Sequence, residues 1–331
     1  MKKITQIPIK HPNEWETIKL FREILGQPSK KYSRIGDDIA YASVDKGKLV
    51  IKCDLLVKET DVPKDMTYRQ AARKSVVACV SDFAAKGVKP KAFLISLGIP
   101  KGTTKEELEE IAYGLKDACK EFNIQFLGGD TNETKDLIID CILIGNSERI
   151  VKRKGAKPGD IVAVTGPFGY SGAGLHILSH ECKTKSMFRK KVIKSVLYPK
   201  PQLSLGVSLA SKNFMSSSID SSDGLALSLY SLAEENQLEI VVDKIPVGEG
   251  VREFAKSNRL DLDELVFYAG EEYEVVFTIP KKKIPEIRKL SSRLKSTIQY
   301  IGWTQKGKPI VKKQGRSKFE KLKRKGWTHL T

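Results

Sequence analysis

Seven aspartates stand in glycine- or serine-flanked breaks at the ends of apolar runs: Asp37 and Asp38 after Gly36, Asp54 closing Leu49–Cys53, Asp82 after Ser81, Asp130 after Gly128-Gly129, and Asp220 and Asp223 around Ser221-Ser222. A carboxylate at the end of a buried strand packs poorly but can hold a hard cation through oxygen. A single such aspartate is more often a turn residue or helix cap. Repetition over five segments, with no competing cluster of Cys or His, points to a multi-metal phosphate site. Magnesium takes a few carboxylates, keeps several waters and binds substrate phosphates, so Asp38, Asp54, Asp82 and Asp130 suit ligands converging on a nucleotide. Gly128 and Gly129 would let backbone approach phosphate closely. Asp220 and Asp223 open a predicted helix, whose N-terminus would either bind an anion or simply be capped by them.

Other chemistries find less support. No Walker-type phosphate loop is present, and the glycine-rich stretch 166–174 is by itself a weak dinucleotide signal. His176 and His180 have the spacing of a helical zinc pair, but Ile177 stands where the zinc-protease motif needs Glu, so a surface or core pair is expected. Ser81 and Ser222 have no His nearby in sequence for a triad.

The elements that must position these residues alternate strand and helix, which predicts an α/β or α+β chain. Strands are expected at 49–57, Ala92–Ile99, Gln125–Leu127 and Leu137–Gly145. Helices are expected from Thr67 to Lys86, with Gly87 as C-cap, and from the Thr104/Glu107 capping box to about Asn123. The basic, turn-rich connector 152–160 places a boundary near residue 148, giving an N-terminal ATP- and metal-binding domain (1–148) and a C-terminal domain (149–331). Beyond it, strands are expected at Ile161–Thr165, Leu238–Val242, Tyr273–Ile279, Tyr300–Trp303 and Pro309–Val311. Helices are expected from about Ala173, near Pro201–Lys212, at Leu225–Asn236 and over 281–294.

At 331 residues the chain can form two cores, and 40% apolar content is ordinary for a globular protein. No apolar stretch reaches membrane-spanning length, and Met1–Gln6 lacks a signal-peptide segment, so a cytoplasmic protein without membrane contact is expected. The five cysteines are scattered and never spaced CxxC, as for reduced thiols. A net charge of +18 and a pI near 9.5 raise nucleic-acid binding. Yet no aromatic-interleaved RNA-binding motif accompanies the one dense basic run, from Lys312 to Lys325, so a solvated face that also attracts anionic substrates is expected instead.

Taken in order, the motifs resemble those of the thiamine-monophosphate kinases, in the aminoimidazole-ribonucleotide-synthetase superfamily. They are Ile35-Gly36-Asp37-Asp38, Asp54-Leu55-Leu56-Val57, Ser81–Pro90, Gly128-Gly129-Asp130-Thr131, Arg153–Asp160, Ile219–Leu225 and Gly270-Glu271-Glu272-Tyr273-Glu274. The resemblance implies a two-domain aminoimidazole-ribonucleotide-synthetase-like fold, with a mixed N-terminal sheet and an α/β C-terminal domain. It also implies a homodimer and ATP-dependent phosphorylation of thiamine monophosphate, with several Mg²⁺ and no phosphoenzyme. Carried over by motif, Asp38, Cys53, Asp54, Asp82, Asp130, Asp220 and Asp223 would sit at the metals, with Asp54 and Asp130 central to catalysis. Tyr113, Gly129, Asp130, Arg153 and Ser222 would contact ATP, while Asp61, Glu271 and Trp327 would contact thiamine phosphate. The chain departs from the family pattern at four places. Lys52-Cys53 replaces hydroxyl residues, Asp61 replaces a His, Glu272 replaces an Asp, and Tyr170 replaces an Asp in the glycine-rich loop. Two other readings are another ATP-dependent enzyme of the superfamily and a basic nucleotide- or RNA-binding protein without catalysis. The reactive Cys-Gly-Lys of selenophosphate synthetases is missing from the sequence.

Overall fold

The computed structural model describes residues 40–44, 46–315 and 317–328. Asp37 and Asp38 lie outside them. Strands β1 (Ala40–Ser43), β2 (Lys48–Val57), β3 (Lys89–Pro100), β4 (Gln125–Thr134) and β5 (Ile138–Ser147) form one mixed sheet in the order β1-β2-β5-β3-β4. The β3–β4 pair is parallel and the other pairs are antiparallel. The second sheet uses β6 (Ile161–Val164), β7 (Ser217–Asp220), β8 (Glu239–Val242), β9 (Val275–Ile279), β10 (Gln299–Gln305), β11 (Val311–Gln314) and β12 (Phe319–Lys321). Its order is β12-β11-β8-β10-β6-β9-β7. Every strand of the first sheet precedes residue 148 and every strand of the second follows it.

Helix α1 (Tyr68–Lys86) lies between the two halves and is buried along most of its length. Its small residues explain how. Ala72, Ser75, Val76, Cys79 and Phe83 pack on the first sheet with Val50, Leu56 and Leu143, while Ala84 and Ala85 join Leu209, Phe277 and Ile279 of the second half. Helix α2 (Lys105–Phe122) runs against α1, where a Cβ at Gly114 would collide with the Arg69 carbonyl. Thr67 and Thr104 start these helices with complete capping boxes, and Gly87 ends α1 in the left-handed region at φ 70°.

Several polar groups tie the halves together. Lys86 Nζ donates to the Ser218 carbonyl at 2.8 Å, Ser218 Oγ donates to the Ala85 carbonyl at 2.6 Å, and Arg73 forms a two-pronged pair with Glu121 while donating to the Pro199 carbonyl. A buried lysine or arginine is costly unless paired in this way. The remaining helices are α3 (Tyr170–Ser179), α4 (Ser186–Leu197), α5 (Leu203–Ser211), α6 (Leu225–Asn236), α7 (Val251–Ser257) and α8 (Ile284–Leu294).

Three expectations need adjusting. The Gly128-Gly129-Asp130 segment does not leave a short strand: β4 continues through it to Thr134, with a shift in register against β3 between Phe126 and Gly129. Helix α3 begins at Tyr170, three residues before Ala173. The basic tail is not only a solvated face. Its backbone supplies β11 and β12, and Leu322 is fully buried in the core with Tyr230 donating to its carbonyl at 2.6 Å. Lys312, Lys313, Arg324 and Lys325 pair with Glu239, Asp263, Glu234 and Glu264.

Candidate active site between the two halves

Strand alternation places the first charged group. Along β2, Val50 and Leu56 point into the core under α1, so Lys52 and Asp54, at the same parity, face that way too. A cation on an inward face needs a partner, and α1 supplies Asp82. Lys52 Nζ lies 2.8 Å from Asp82 Oδ2 and 3.6 Å from Asp54 Oδ2. Burial alone would lower the lysine pKa, but the carboxylates of Asp82 and Asp54 outweigh it and hold that pKa well above its ordinary value. One residue before Asp82, Ser81 Oγ donates to Asp220 Oδ2 at 2.9 Å, so β7 of the second half is fastened to the same turn of α1.

Beside this cluster opens a cleft of about 570 Å³, lined from the first half by Lys52, Asp54, Asp61 and Lys74 and from the second by Ser222, Asp223, Glu271 and Trp327. Glu271 and Tyr273 hold left-handed backbone conformations, φ 64° and 54°, which non-glycine residues adopt at a cost. Their amides donate to the Ser222 and Ser221 carbonyls, so the 270–273 turn is locked onto the 220–223 loop. The Trp327 amide donates to the Asp223 carbonyl at 3.0 Å, and the residue, half exposed, stands on the cleft wall. Ser221 Oγ is buried in this loop without a hydrogen-bond partner among the described residues.

Asp61 turns back on its own segment. Its carboxylate accepts from the Val57 amide at 2.7 Å and from Thr60 Oγ1 at 3.0 Å, stabilising the helical turn Lys58–Asp61. Lys74, in the middle of α1, donates to the Asp61 carbonyl at 2.6 Å and forms an ion pair with Glu271. Nothing in the sequence singled out Lys74. Its signal was a lysine at a helix position whose neighbours in the 3.6-residue repeat, Ala71 and Val77, are apolar.

The other expected residues lie elsewhere. Asp130 is exposed on edge strand β4, opposite Ser96 of β3, and a Cβ at Gly129 (φ 157°) would strike the Ile95 carbonyl, so only glycine fits there. Tyr113 is exposed on α2 with the Arg69 guanidinium 5.6 Å over its ring. The Arg153 loop is pinned by Asn236, which donates to the Arg153 carbonyl and accepts from the Gly155 and Ala156 amides. Cys53 faces away from Lys52 by strand parity and donates from Sγ to Asp140 Oδ1 at 3.0 Å. Burial and that carboxylate push its thiol up to about 12. A protonated thiol is a poor partner for a hard cation.

Among the described residues no three His, Cys, Asp or Glu side chains gather around a single metal-sized position. The donor chemistry nevertheless suits Mg²⁺, which needs few carboxylates where phosphates complete its shell. Lys52 Nζ, resting against Asp54 and Asp82, marks a point where two carboxylates already face one cation.

The 270–274 segment carries a second acidic group, which does not line the cleft. Glu272 accepts from the Gly169 and Ser171 amides at 2.6 and 3.1 Å, holding the glycine-rich loop at the start of α3. Glu274 accepts from Thr165 Oγ1 at 2.5 Å and Gln202 Nε2 at 3.2 Å. Burial pushes Glu272 up to about 7 and Glu274 up to about 8. His176 and His180 stack at 4.5 Å between ring centroids on α3 and its C-cap, as a packed pair.

Residues 36–146 match the family model described as AIR synthase related protein, N-terminal domain, which places the fold in that α/β class. Over its whole length the chain resembles more specific proteins. A thiamine-monophosphate kinase of Nitrosopumilus maritimus is 43% identical across 96% of this chain and 98% of its own. One from Pyrococcus horikoshii is 36% identical across 96% of each. Among solved structures, AaThiL complexed with AMPPCP and TMP superposes with a TM-score of 0.84 at 27% identity, covering 98% of this chain and 100% of that one. The chain belongs to the thiamine-monophosphate kinase family.

Proposed function

We propose that this protein transfers the γ-phosphoryl group of ATP directly to thiamine monophosphate, giving thiamine diphosphate, in the cleft between its two halves. The observation that carries this reading is the convergence there of Asp54, Ser222, Asp223, Glu271 and Trp327 from both halves of a chain similar to thiamine-monophosphate kinases over nearly its full length. The attacking group is already an anion, so the chemistry needs no strong general base. It needs alignment and relief of charge repulsion. Asp54, Asp82, Asp130, Asp220 and Asp223 are the described residues that would hold Mg²⁺, with Asp38 beyond the described residues, and Cys53 is left out of the set for its chemistry. When bound, Mg²⁺ supplies neutralisation of the charge that develops on the transferring phosphoryl group.

The chain's own residues do the positioning. Trp327 offers a flat apolar surface on the cleft wall for the aromatic end of the acceptor. Glu271, fixed by Lys74 and by the Ser222 carbonyl, would meet the cationic ring system from the opposite side, and Asp61 shapes the wall through the turn it caps. Gly129, Arg153, Ser222 and Tyr113 remain the proposed ATP contacts. Alternate residues of the first sheet, among them Ile51, Leu55, Leu94, Ile142 and Ile144, stay partly or largely exposed, which supports a homodimer through that sheet. No described helix is long and apolar enough to cross a membrane, and we place the enzyme in the cytoplasm.

The test is ADP production with Mg²⁺ and ATP against a panel of phosphorylated small molecules. Thiamine monophosphate should stimulate it most. Stimulation by another phosphorylated compound and not by thiamine monophosphate would transfer the reading to a different member of the superfamily.

A further inference from the structure

A cation built into the chain stands at the heart of the acidic cluster. Lys52 Nζ sits 2.8 Å from Asp82 and 3.6 Å from Asp54, and these carboxylates come from two elements, α1 and β2, that packing fixes relative to each other. The ammonium is held by geometry: strand parity turns Lys52 inward with Val50 and Leu56, and the side chain is only 22% exposed against 7% for Asp82. A Mg²⁺ bridging this pair would have to approach each oxygen to about 2.1 Å, in the space that the ammonium fills. A short hydroxyl side chain at this position would leave that space open.

We propose that Lys52 takes the place of one divalent cation in this enzyme, its ammonium permanently offsetting one of the two negative charges of Asp54 and Asp82 and filling the space between them, so that the nucleotide complex assembles with one Mg²⁺ fewer than a hydroxyl residue there would permit. The inference rests on the reading that ATP and Mg²⁺ share this cleft. It gives the chain a fixed single positive charge in place of an exchangeable double one. The site is thereby partly preassembled, and its dependence on free Mg²⁺ is correspondingly shallower. Lys is suited to the role because its ammonium is a compact point charge.

Counting metal tests this without turnover. Full-length wild type, Lys52→Thr and Lys52→Arg would be titrated with Mn²⁺ in the presence of β,γ-methylene ATP, free Mn²⁺ being read by its paramagnetic resonance signal. Lys52→Thr should bind about one more Mn²⁺ per chain than wild type, since two carboxylates and nucleotide oxygens then suffice for an ion. Lys52→Arg, which keeps the charge, should match wild type. Should Lys52→Thr fail to melt cooperatively, Lys52→Gln is the second variant, with the same gain expected. Equal Mn²⁺ counts in wild type and the folded neutral variant would overturn the proposal, as would a gain in Lys52→Arg. In the same preparations thiamine diphosphate formation is scored separately. A wild type that makes none while the counts differ loses the kinase reading alone, and one that makes it while the counts agree loses only the role of Lys52.

Discussion

Two groups of carboxylates, one at the cleft and the other off it, lie in environments that send them in opposite directions. Asp54 and Asp82 share the Lys52 ammonium and face the space where a nucleotide would bring its negative charge. Glu272 and Glu274, on the far side of the 270–273 turn, receive only neutral donors, two backbone amides for one, a hydroxyl and an amide for the other, and burial raises them to about 7 and 8. The first group is a charged site whose counter-cation is built into the chain. The second is a support that favours the neutral acid. The difference teaches that position relative to a fixed cation, more than residue type, separates the carboxylates that handle phosphate from those that hold the glycine-rich loop.

The comparison breaks most readily at its charged side. Asp82→Asn removes the closer partner of Lys52 and a proposed metal ligand together, and turnover should fall about a thousandfold or more, with Asp54→Asn and Asp130→Asn close behind. Steady-state rates at saturating ATP check this, alongside circular dichroism to confirm the fold. Near-normal turnover in all three would remove these aspartates from the chemistry.

Next in size is Lys74. Lys74→Met frees Glu271 and the Asp61 turn, so the Michaelis constant for the acceptor should rise about tenfold while that for ATP changes little. Stripping a buried partner also destabilises. The double variant Lys74→Met/Glu271→Gln should therefore regain melting temperature without regaining acceptor affinity. An effect confined to stability would make Lys74 a packing residue only.

Trp327→Ala should raise the acceptor constant several-fold and spare ATP, stacking being worth on the order of one kcal/mol. Because Lys325 and Arg324 anchor the tail that carries Trp327 through Glu264 and Glu234, neutralising both should produce a weaker version of the same shift.

The smallest effect sharpens the neutral side. A carboxyl whose folded pKa is raised contributes stability that is fully present below about 4.5 and lost as pH rises through about 7 for Glu272 and 8 for Glu274. Glu274→Gln should thus melt a few degrees above wild type at pH 9 and show no advantage at pH 5. Parallel melting curves across that range would show that the burial of Glu274 carries no proton.

Much of this could be read in the chain beforehand. Gly87 as C-cap and the Thr104/Glu107 capping box placed α1 and α2 nearly to the residue, since those signals are local. The aspartates drew the eye to both walls of the cleft for the same reason. What stayed hidden was non-local. Lys52 stood only as a replacement for a hydroxyl residue because its partner Asp82 is thirty positions away, and Asp61 was expected at the thiamine phosphate because its bond to the Val57 amide leaves no trace in residue type. Asp130 appeared to end a strand because glycines usually do, whereas β4 continues with its backbone pressed against Ile95. The basic tail read as solvated because the acids that pair with it are scattered through the second half.

The most direct measurement is a single turnover with γ-labelled ATP, Mg²⁺ and thiamine monophosphate, quenched at intervals and separated into protein, nucleotide, thiamine phosphates and free phosphate. Direct transfer in the cleft predicts that label leaves ATP and enters thiamine diphosphate at the same rate, with none on the protein at any time. Label that appears first on the protein, or that reaches only free phosphate, would contradict it.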